Sequence, residues 1–539
     1  MKNYPLYKTE PIFSLKELVN LSAERYGEMP AFTFERKKQI TSISYNKFKA
    51  DVNALGTEFK FLEIKSEKIA VIGENSYEWI LTYFAAVNGG NVIVPLDKEL
   101  PAADIKNLID DSGAEIFVYS SEYTDIMNHL QESGANIRKF ICMKEIPQML
   151  EHGATLVQGG DTSVIDYKVD NKALAALLYT SGTTGSAKGV MLSHFSIARN
   201  TVASCEYVEL LGRNLLVLPV HHVFGFVAGV CVMLHKGSEI CINSSLKNVL
   251  SDLEKFKPHC VFLVPLFVET FYKKIWDGAK KKGKDGLLKK LIGISGALMK
   301  IGIDPRRKLF KSVLSAFGGN LGLIVSGGAP LDAKYAQGLR DFGIHVLNGY
   351  GITECSPVVS VNRNKYYCDG SIGPVLNCCE VKILNPDEQG HGEICVKGDI
   401  VMLGYYNNEQ ATKEVFDGEW FKTGDIGCLD KDGFLHISGR KKNLIILSNG
   451  KNVYPEEIES ELLNYIPYVK EVVVYAEDNT IVAEVFLDSE TAPPNTSRLD
   501  NDIVSFNKTQ ASYKNIGKTI KRDTEFPKTT TKKIKRKYK

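Results

Sequence analysis

A stretch rich in glycine and hydroxyl side chains, with a single lysine, spans residues 179–194 and reads YTSGTTGSAKGVMLSH. The apolar runs on either side, at 175–180 and 189–193, predict the two strands of a hairpin, with the small residues in the loop between them. Glycines let backbone N–H groups approach an anion closely, hydroxyls add donors, and Lys188 adds a compact positive charge. The pattern predicts a polyphosphate-binding loop, and the alternative is a flexible hairpin tip.

The same loop differs from the phosphate loop of P-loop kinases. That motif, GxxxxGK[ST], requires lysine directly after its last glycine and a helix immediately afterwards. Here Ser186 and Ala187 separate Gly185 from Lys188, and a strand pattern follows. A P-loop kinase is therefore excluded.

Length and composition indicate a large globular protein. The 539 residues suggest three or four domains or subdomains, and 44% hydrophobic with 24% charged residues is ordinary for such a protein. The N-terminus lacks the apolar core of a signal peptide, and the longest apolar run, 223–234, is shorter than the about 20 residues that span a bilayer. The eleven cysteines are scattered without zinc-site spacing, which fits a reducing compartment. We expect a soluble cytoplasmic protein.

Two segments concentrate positive charge although the formal net charge is only +2. Residues 514–539 hold eleven Lys/Arg against two acids, and residues 273–311 hold thirteen against three. Within the second segment, LLKKLIGISGALM (287–299) fits an interfacial amphipathic helix, and equally a packed helix with a solvated face. Polyanionic substrates, an acidic carrier protein or an anionic membrane surface are candidate partners for these segments. Peripheral contact with the inner membrane surface is thus one expectation.

The order of elements indicates an α/β protein with parallel sheets. Strand patterns at 68–73, 91–97 and 115–120 alternate with helical patterns at 75–87, capped by Asn75 or Ser76, and at 101–111. Similar alternation returns at 259–265 and 321–350, and such repeats imply right-handed crossovers. From about 375 to 438, alternating runs with Gly/Asp turns predict hairpins of a barrel-like subdomain. Residues 441–539 read as a separate small α+β domain, with a helix that begins near Pro455.

Six further motifs accompany the loop at 179–194. They are LPVHHVFGF (218–226), SGGAPL (326–331), NGYGITECSP (348–357), WFKTGDIG (420–427), GRKKNLIILSNGKNVYPEEIE (439–459) and FPKTTTKKIKR (526–536). Together they resemble, in the same order and over nearly the whole chain, the motifs of the adenylate-forming superfamily of acyl-CoA synthetases, peptide-synthetase adenylation domains and beetle luciferases. VPLFVETFYKKI with the basic insertion after it is most similar to the long-chain fatty acyl-CoA synthetases.

The resemblance implies both a fold and its division. The fold would be α/β, with a large AMP-binding N-terminal domain of layered sheets over 1–440 that includes the small β-barrel subdomain. A mobile small α+β lid domain would occupy 441–539. Lys442 would be the hinge between the two, and Gly450 would line a tunnel for CoA.

The resemblance also implies a nucleotide site that requires ATP and Mg²⁺. The phosphates would be held by Thr180, Ser181, Gly182, Thr183, Thr184, Gly185 and Lys188, and the adenosine by Gly328, Ala329, Asn348, Gly349, Tyr350, Gly351, Asp425 and Arg440. Tyr350 would stack on adenine, and Asp425 would accept from the ribose hydroxyls. Thr353 would donate to a phosphate, while Glu354 and Thr184 would hold Mg²⁺, a cation that prefers oxygen ligands.

The remaining roles implied by the resemblance concern the acid. His222, Phe224 and Phe226 would line the acyl pocket, with His222 at its wall toward the nucleotide. Lys533 would bridge the carboxylate and the α-phosphate and neutralise developing charge. Lys532 stands where many members have glycine, and the offset from Pro527 favours Lys533 as the inserted lysine.

The implied reaction forms an acyl-adenylate and pyrophosphate, after which a thiol displaces AMP. The stretch 218–226 has no acid to pair with a substrate amine, which argues against an amino acid and leaves a medium- or long-chain fatty acid. Free CoA is the expected thiol, and the alternative is a synthetase that loads an acyl carrier protein. A luciferase-like oxygenase, or a scaffold without activity, are the rival classes on this fold; we expect no nucleic-acid partner.

Overall fold

The structure is a computed structural model that describes residues 3–180, 187–210, 212–447, 451–477, 480–488, 492, 497–528, 534 and 536. Two compact units divide the chain. The first comprises Met1–Glu380 with Val396–Phe421, and the second comprises Val381–Cys395 with Lys422–Lys539. The predicted α/β class is confirmed, whereas the predicted domain boundary at 440/441 and the barrel-like subdomain stay predictions.

The strands, in chain order, have the following bounds: β1 Pro30–Arg36, β2 Gln39–Ser44, β3 Lys68–Ile72, β4 Val92–Pro95, β5 Ile116–Tyr119, β6 Lys139–Cys142, β7 Leu174–Thr180, β8 Lys188–Ser193, β9 Arg213–Leu216, β10 Glu239–Ile242, β11 Cys260–Leu263, β12 Leu323–Ser326, β13 His345–Gly351, β14 Val358–Val361, β15 Cys379–Leu384, β16 Gly392–Gly398, β17 Gly404–Tyr405, β18 Phe416–Asp417, β19 Trp420–Leu429, β20 Leu435–Arg440, β21 Ile445–Ile446, β22 Asn452–Val453, β23 Val469–Glu477, β24 Thr480–Leu487 and β25 Lys518–Arg522.

The helices have these bounds: α1 Leu15–Tyr26, α2 Tyr45–Phe61, α3 Tyr77–Asn88, α4 Ala102–Ser112, α5 Thr124–Glu132, α6 Ile146–Gln158, α7 His194–Tyr207, α8 Val223–Phe226, α9 Val232–His235, α10 Val249–Phe256, α11 Pro265–Lys281, α12 Asp285–Lys300, α13 Arg306–Leu309, α14 Lys311–Ser315, α15 Ala333–Arg340, α16 Glu409–Val415, α17 Pro455–Tyr465 and α18 Ser497–Asn507. A π-helical turn, Val227–Cys231, joins α8 to α9. Within the described part of the chain, every helix is too short or too polar to cross a membrane.

Two large sheets build the first unit. One has the order β14-β13-β12-β11-β9-β10-β1-β2, and the other has the order β17-β8-β7-β4-β3-β5-β6. The predicted strand–helix alternation is confirmed, because β3 lies parallel to both β4 and β5. Ser76 is the N-cap of α3, and its hydroxyl accepts from Trp79 N at 3.2 Å. Local sequence signals therefore set this sheet.

The first sheet gains its stability from a core on one of its faces. Buried side chains of α10, α11 and α15 pack there against buried residues of β9, β11, β12 and β13, with Phe310 and Phe342 completely enclosed. Removing apolar surface from water is the main favourable term in folding. The core therefore fixes the carboxyl ends of β11, β12 and β13, and the candidate site begins where these strands end.

The second unit contains an α+β part of its own. Strands β23, β24 and β25 form a three-stranded sheet, and α17 and α18 cover it through a shared apolar cluster. Pro455 is the first residue of α17, as predicted, because proline loses no helical hydrogen bond at that position. Next to this part, β19 and β20 pair in antiparallel register with Asp425 opposite Arg440.

Candidate functional site

The predicted phosphate hairpin has the expected strands. β7 and β8 pair in antiparallel register, with Thr180 opposite Lys188. Ser181, Gly182, Thr183, Thr184 and Gly185 lie outside the described residues, so their predicted contacts with phosphate stay predictions. The hairpin nevertheless brings Thr180 and Lys188 to the same end of the sheet.

A tyrosine that the sequence reasoning missed connects this hairpin to the predicted metal ligand. The Lys188 ammonium lies 4.9 Å from the ring centroid of Tyr405, and the Tyr405 hydroxyl donates to Glu354 Oε1 at 3.0 Å. Burial, and then the charge and hydrogen bond of Glu354, raise the pKa of Tyr405, so the phenol remains a donor. Tyr405 thus links the Glu354 carboxylate to the Lys188 ammonium. These two groups fit a magnesium–polyphosphate group, because a carboxylate is a ligand for Mg²⁺ and an ammonium pairs with phosphate.

A buried asparagine positions the turn that carries Thr353 and Glu354. Asn200, on α7, donates to Val358 O at 2.7 Å and to Cys355 O at 3.3 Å. Its Oδ1 accepts from Val358 N at 3.2 Å. Three hydrogen bonds from one fully buried amide therefore hold the backbone immediately after Glu354.

The residues predicted to hold adenosine lie on two adjacent strand ends. Asn348, Gly349, Tyr350 and Gly351 belong to β13, while Gly328 and Ala329 follow β12, which pairs with β13 in parallel register. A Cβ on Gly351 would lie 2.1 Å from Pro357 O, and Gly328 has a φ of +86°. Glycine is needed at both positions, because close backbone approach and a left-handed conformation exclude other residues.

An apolar cavity lies against the same strand. Its walls are formed by Ser204, Val208, Leu210, Phe224, Ala228, Val232, Phe262, Val325, Ser326, Gly327, Gly328, Gly349, Tyr350, Gly351, Pro357, Val358 and Val361. Phe224 is one of these wall residues, and its predicted contact with an acyl chain stays a prediction. Phe226 is instead buried against Tyr83, with ring centroids 3.8 Å apart, so its ring belongs to the core.

His222, predicted at the wall of this pocket, is the N-cap residue of α8. Its ring lies against that of His221, with centroids 4.2 Å apart. Burial, followed by the charges of His222 and Lys98, lowers the pKa of His221 well below its usual value. The His221 imidazole is therefore neutral near pH 7.

The second unit holds the predicted ribose ligand. Asp425 is 4% exposed, and Arg440 Nε lies 2.9 Å from its Oδ1. Thr423 Oγ1 accepts from Asp425 N at 3.0 Å and donates to Ile394 O at 2.8 Å. A carboxylate accepts hydrogen bonds from hydroxyl groups, so Asp425 has the chemistry that a ribose needs.

The predicted hinge and lysine motif also belong to the second unit. Burial, and then the charges of Arg440 and Arg536, lower the pKa of Lys442. Lys533 and Gly450 lie outside the described residues, and their roles stay predictions. Arg536, which belongs to the same motif as Lys533, forms an ion pair with the buried Glu459.

The residues predicted to hold a nucleotide therefore lie at the ends of parallel strands, beside an apolar cavity. The family described as AMP-binding enzyme matches residues 19–406, so the chain belongs to this family. The predicted resemblance to adenylate-forming enzymes, and to long-chain acyl-CoA synthetases among them, is confirmed.

Three similar proteins illustrate the relationship. The long-chain-fatty-acid–CoA ligase FadD15 of Mycobacterium bovis is 30% identical over 448 residues, which cover 79% of this chain and 73% of the relative. Feruloyl-CoA synthase of Amycolatopsis sp is 27% identical over 92% of both chains. The solved structure of O-succinylbenzoate coenzyme A synthetase from Bacillus subtilis, with ATP and a magnesium ion, has a TM-score of 0.74 at 24% identity and covers 96% of this chain and 98% of its own. The chain is therefore an adenylate-forming acid–thiol ligase.

Proposed function

We propose that this ligase activates a medium- or long-chain fatty acid with ATP and transfers the acyl group to CoA. The observation that carries the proposal is the cavity beside β13. The cavity is lined almost entirely by apolar side chains and by backbone, as small-molecule sites typically are. Among its described lining residues, side-chain polar atoms come from Ser204, Ser326 and Tyr350 alone, and charged side chains are absent. An alkyl chain suits such walls, because apolar surface gains free energy on leaving water.

The chemistry proceeds in two displacements. In the first, a carboxylate oxygen attacks the α-phosphorus of ATP, and the bond to the bridging oxygen breaks with its electron pair on pyrophosphate. Lys188 stabilises the charge on the departing group, Thr353 donates to a phosphate oxygen, and Lys533 neutralises the attacked phosphate. Glu354 and Thr184 would hold magnesium, which would supply positive charge at the phosphates.

In the second displacement, the CoA thiolate attacks the acyl carbon and AMP leaves with the electron pair. The mixed anhydride formed first makes this step easier than direct attack on a carboxylate. Lys442 as hinge and Gly450 in the CoA tunnel remain part of this proposal. Asp425, paired with Arg440, orients the ribose in both steps.

A panel of acids tests the proposal. Pyrophosphate release from ATP and Mg²⁺ is measured with straight-chain acids from butyrate to oleate and with ferulate, each with and without CoA. Strong CoA-dependent turnover on the longer acids is the expected result. Turnover on ferulate alone would refute the fatty acid assignment. Adenylation that responds to a phosphopantetheinyl carrier protein but not to CoA would replace CoA as acceptor by an acyl carrier protein.

The basic insertion at 273–311 supports a location in the cytoplasm with peripheral contact at an anionic membrane surface. In and after α12, Leu287, Ile294, Ile301 and Ile303 are all more than half exposed. Lys281, Lys282, Lys284, Lys289, Lys290 and Lys300 are exposed around them, while α12 itself contains one acid, Asp285. Exposed apolar groups within a cationic rim complement an interface of anionic lipid.

Vesicle co-sedimentation tests this contact. The wild-type chain should bind vesicles that contain anionic lipid more tightly than neutral vesicles, and 0.5 M salt should weaken binding, since surface charges are screened within about 4 Å near this concentration. Replacing Leu287 and Ile294 with serine should reduce binding. Equal sedimentation of the variant and the wild type would refute a role for α12.

A further inference from the structure

Three side chains with metal-ligating atoms converge in the first unit, beside the predicted site. Asp97 follows β4, whereas His221 and His222 lie between β9 and α8, so the two large sheets supply them from opposite parts of the chain. One ligand atom from each lies within 4.8 Å of the ligand atoms of the other two. Two imidazoles and a carboxylate form a common donor set for zinc.

The buried histidine of this group has an unused ring nitrogen. The His221 side chain is 4% exposed, and its Nε2 makes no hydrogen bond with any described residue. The nearest acceptor, Asp97 Oδ1, is 3.4 Å away. This is longer than a normal hydrogen bond of about 2.7–3.2 Å. It equals the separation of two donors in a tetrahedral site with metal–ligand bonds of about 2.05 Å, which is about 3.4 Å.

The backbone that carries the two histidines is held in place. Asn75 Nδ2 donates to Leu218 O at 2.8 Å, and Val220 N donates to Asn75 Oδ1 at 3.0 Å. His222 N then donates to Pro219 O at 3.2 Å. The pair therefore presents its rings from a fixed segment, and little reordering is needed for a ligand to bind.

The donor set selects the kind of metal ion. Magnesium prefers oxygen ligands, so the ion of the ATP reaction is a poor match for two imidazoles.

We propose that Asp97, His221 and His222 bind one divalent transition-metal ion of the zinc class, with the fourth coordination position taken by water. The consequence for activity rests on the proposed function: a bound ion holds the His222 ring and removes it from the wall between acid and nucleotide. Zinc is then expected to inhibit adenylation.

Calorimetric titration of zinc into the full-length, chelator-treated protein tests the site. Cys142, Cys368, Cys379 and Cys428 are half-buried thiols and are alkylated first, because thiolates also bind zinc. The expected result is a site of unit stoichiometry whose affinity falls at least about 100-fold in Asp97→Asn, the near-isosteric loss of one ligand. His221→Gln should do the same. Cobalt absorption of the tetrahedral type should appear in the wild type and vanish in both variants.

The matched control is His194→Gln. His194 is also buried, with an Nδ1 that makes no hydrogen bond in the described part of the chain, but it belongs to no such group. Its replacement should leave zinc affinity unchanged. Unchanged affinity in Asp97→Asn, or an equal loss in His194→Gln, would overturn the proposal.

Activity provides a second, separate measurement. Zinc inhibition of pyrophosphate release, expressed relative to each variant's own rate without zinc, should weaken at least about 100-fold in Asp97→Asn. Equal sensitivity of variant and wild type would overturn the inhibitory role. If no acid in the panel releases pyrophosphate, the proposed function fails, while the calorimetric result still decides the metal site.

Discussion

Replacing Asn200 with alanine should damage both stability and adenylation, because this one side chain holds the turn after Glu354. The variant loses the hydrogen bonds to Val358 O at 2.7 Å, to Cys355 O at 3.3 Å and from Val358 N at 3.2 Å. Each contributes about 1 kcal/mol net, so the loss sums to about 3 kcal/mol.

Because Asn200 is fully buried, we expect its replacement to lower activity by displacing the turn that carries Glu354. Displacing a catalytic group by 1 Å costs about 100-fold in rate. We therefore expect kcat for pyrophosphate release to fall by about 10- to 100-fold in Asn200→Ala. Urea unfolding followed by tryptophan fluorescence measures the stability of the unit concerned, because Trp79, Trp276 and Trp420 all belong to the first unit.

Thr201→Val is the control on the same helix. The Thr201 hydroxyl is buried and donates to Ile197 O at 2.8 Å, one turn earlier, so its loss costs about 1 kcal/mol without touching the turn. The control should keep its kcat. The reasoning is refuted if Asn200→Ala unfolds within 1 kcal/mol of the wild type, or if Thr201→Val loses as much rate.

Three further variants test other contacts. Tyr405→Phe removes the 3.0 Å hydrogen bond to Glu354, and a hydrogen bond to a charged group contributes about 1.5–3 kcal/mol. In steady-state assays, kcat/KM for ATP should therefore fall about 10- to 100-fold, and an unchanged kcat/KM would contradict this prediction. Asp425→Asn removes the carboxylate that pairs with Arg440 and that would accept from ribose, so the KM for ATP should rise at least about 10-fold while the maximal rate changes less. Burial raises the pKa of Glu459 from 4.5 to about 7, so its contribution to stability is present below pH 4.5 and is lost as the pH rises through 7, about 3 kcal/mol in all. Amide hydrogen exchange in β23 and β24 should therefore accelerate between pH 5 and pH 8 by more than the intrinsic exchange rate does. Glu459→Gln should abolish this additional acceleration. The same additional acceleration in the variant and the wild type would contradict the role of Glu459.

Local patterns were sufficient to predict much of this fold. Apolar runs bounded by small residues predicted β7 and β8, the pair Asn75 and Ser76 predicted the start of α3, and Pro455 predicted the start of α17. Each of these signals acts within a few residues along the chain, so it can be read without tertiary structure. Gly328 and Gly351 are local signals too, because the requirement for glycine at these positions follows from the backbone conformation and from a close backbone contact.

The contacts that organise the site lie beyond such reasoning. Asn200 and Val358 are 158 residues apart, and Tyr405 and Glu354 are 51 apart, so no periodicity or spacing connects them. Phe226 shows that neighbours in one sequence motif can also have different surroundings. It lies two residues from Phe224 in one motif, yet the turn of α8 directs only Phe224 into the cavity, while Phe226 packs on Tyr83. Side-chain direction within so short a helix depends on what the neighbouring sheet leaves open.

One backbone strand serves both halves of the proposed chemistry. Gly349, Tyr350 and Gly351 line the apolar cavity and are also the residues predicted to hold adenosine. Under the proposed function, an acid whose chain fills the cavity would contact the strand that is predicted to position ATP, and acid binding and nucleotide binding would be physically linked. Because interactions that improve only in the transition state raise kcat, the remote alkyl chain can contribute to rate through β13 as well as to affinity. A preference for longer acids should accordingly appear in kcat as well as in KM.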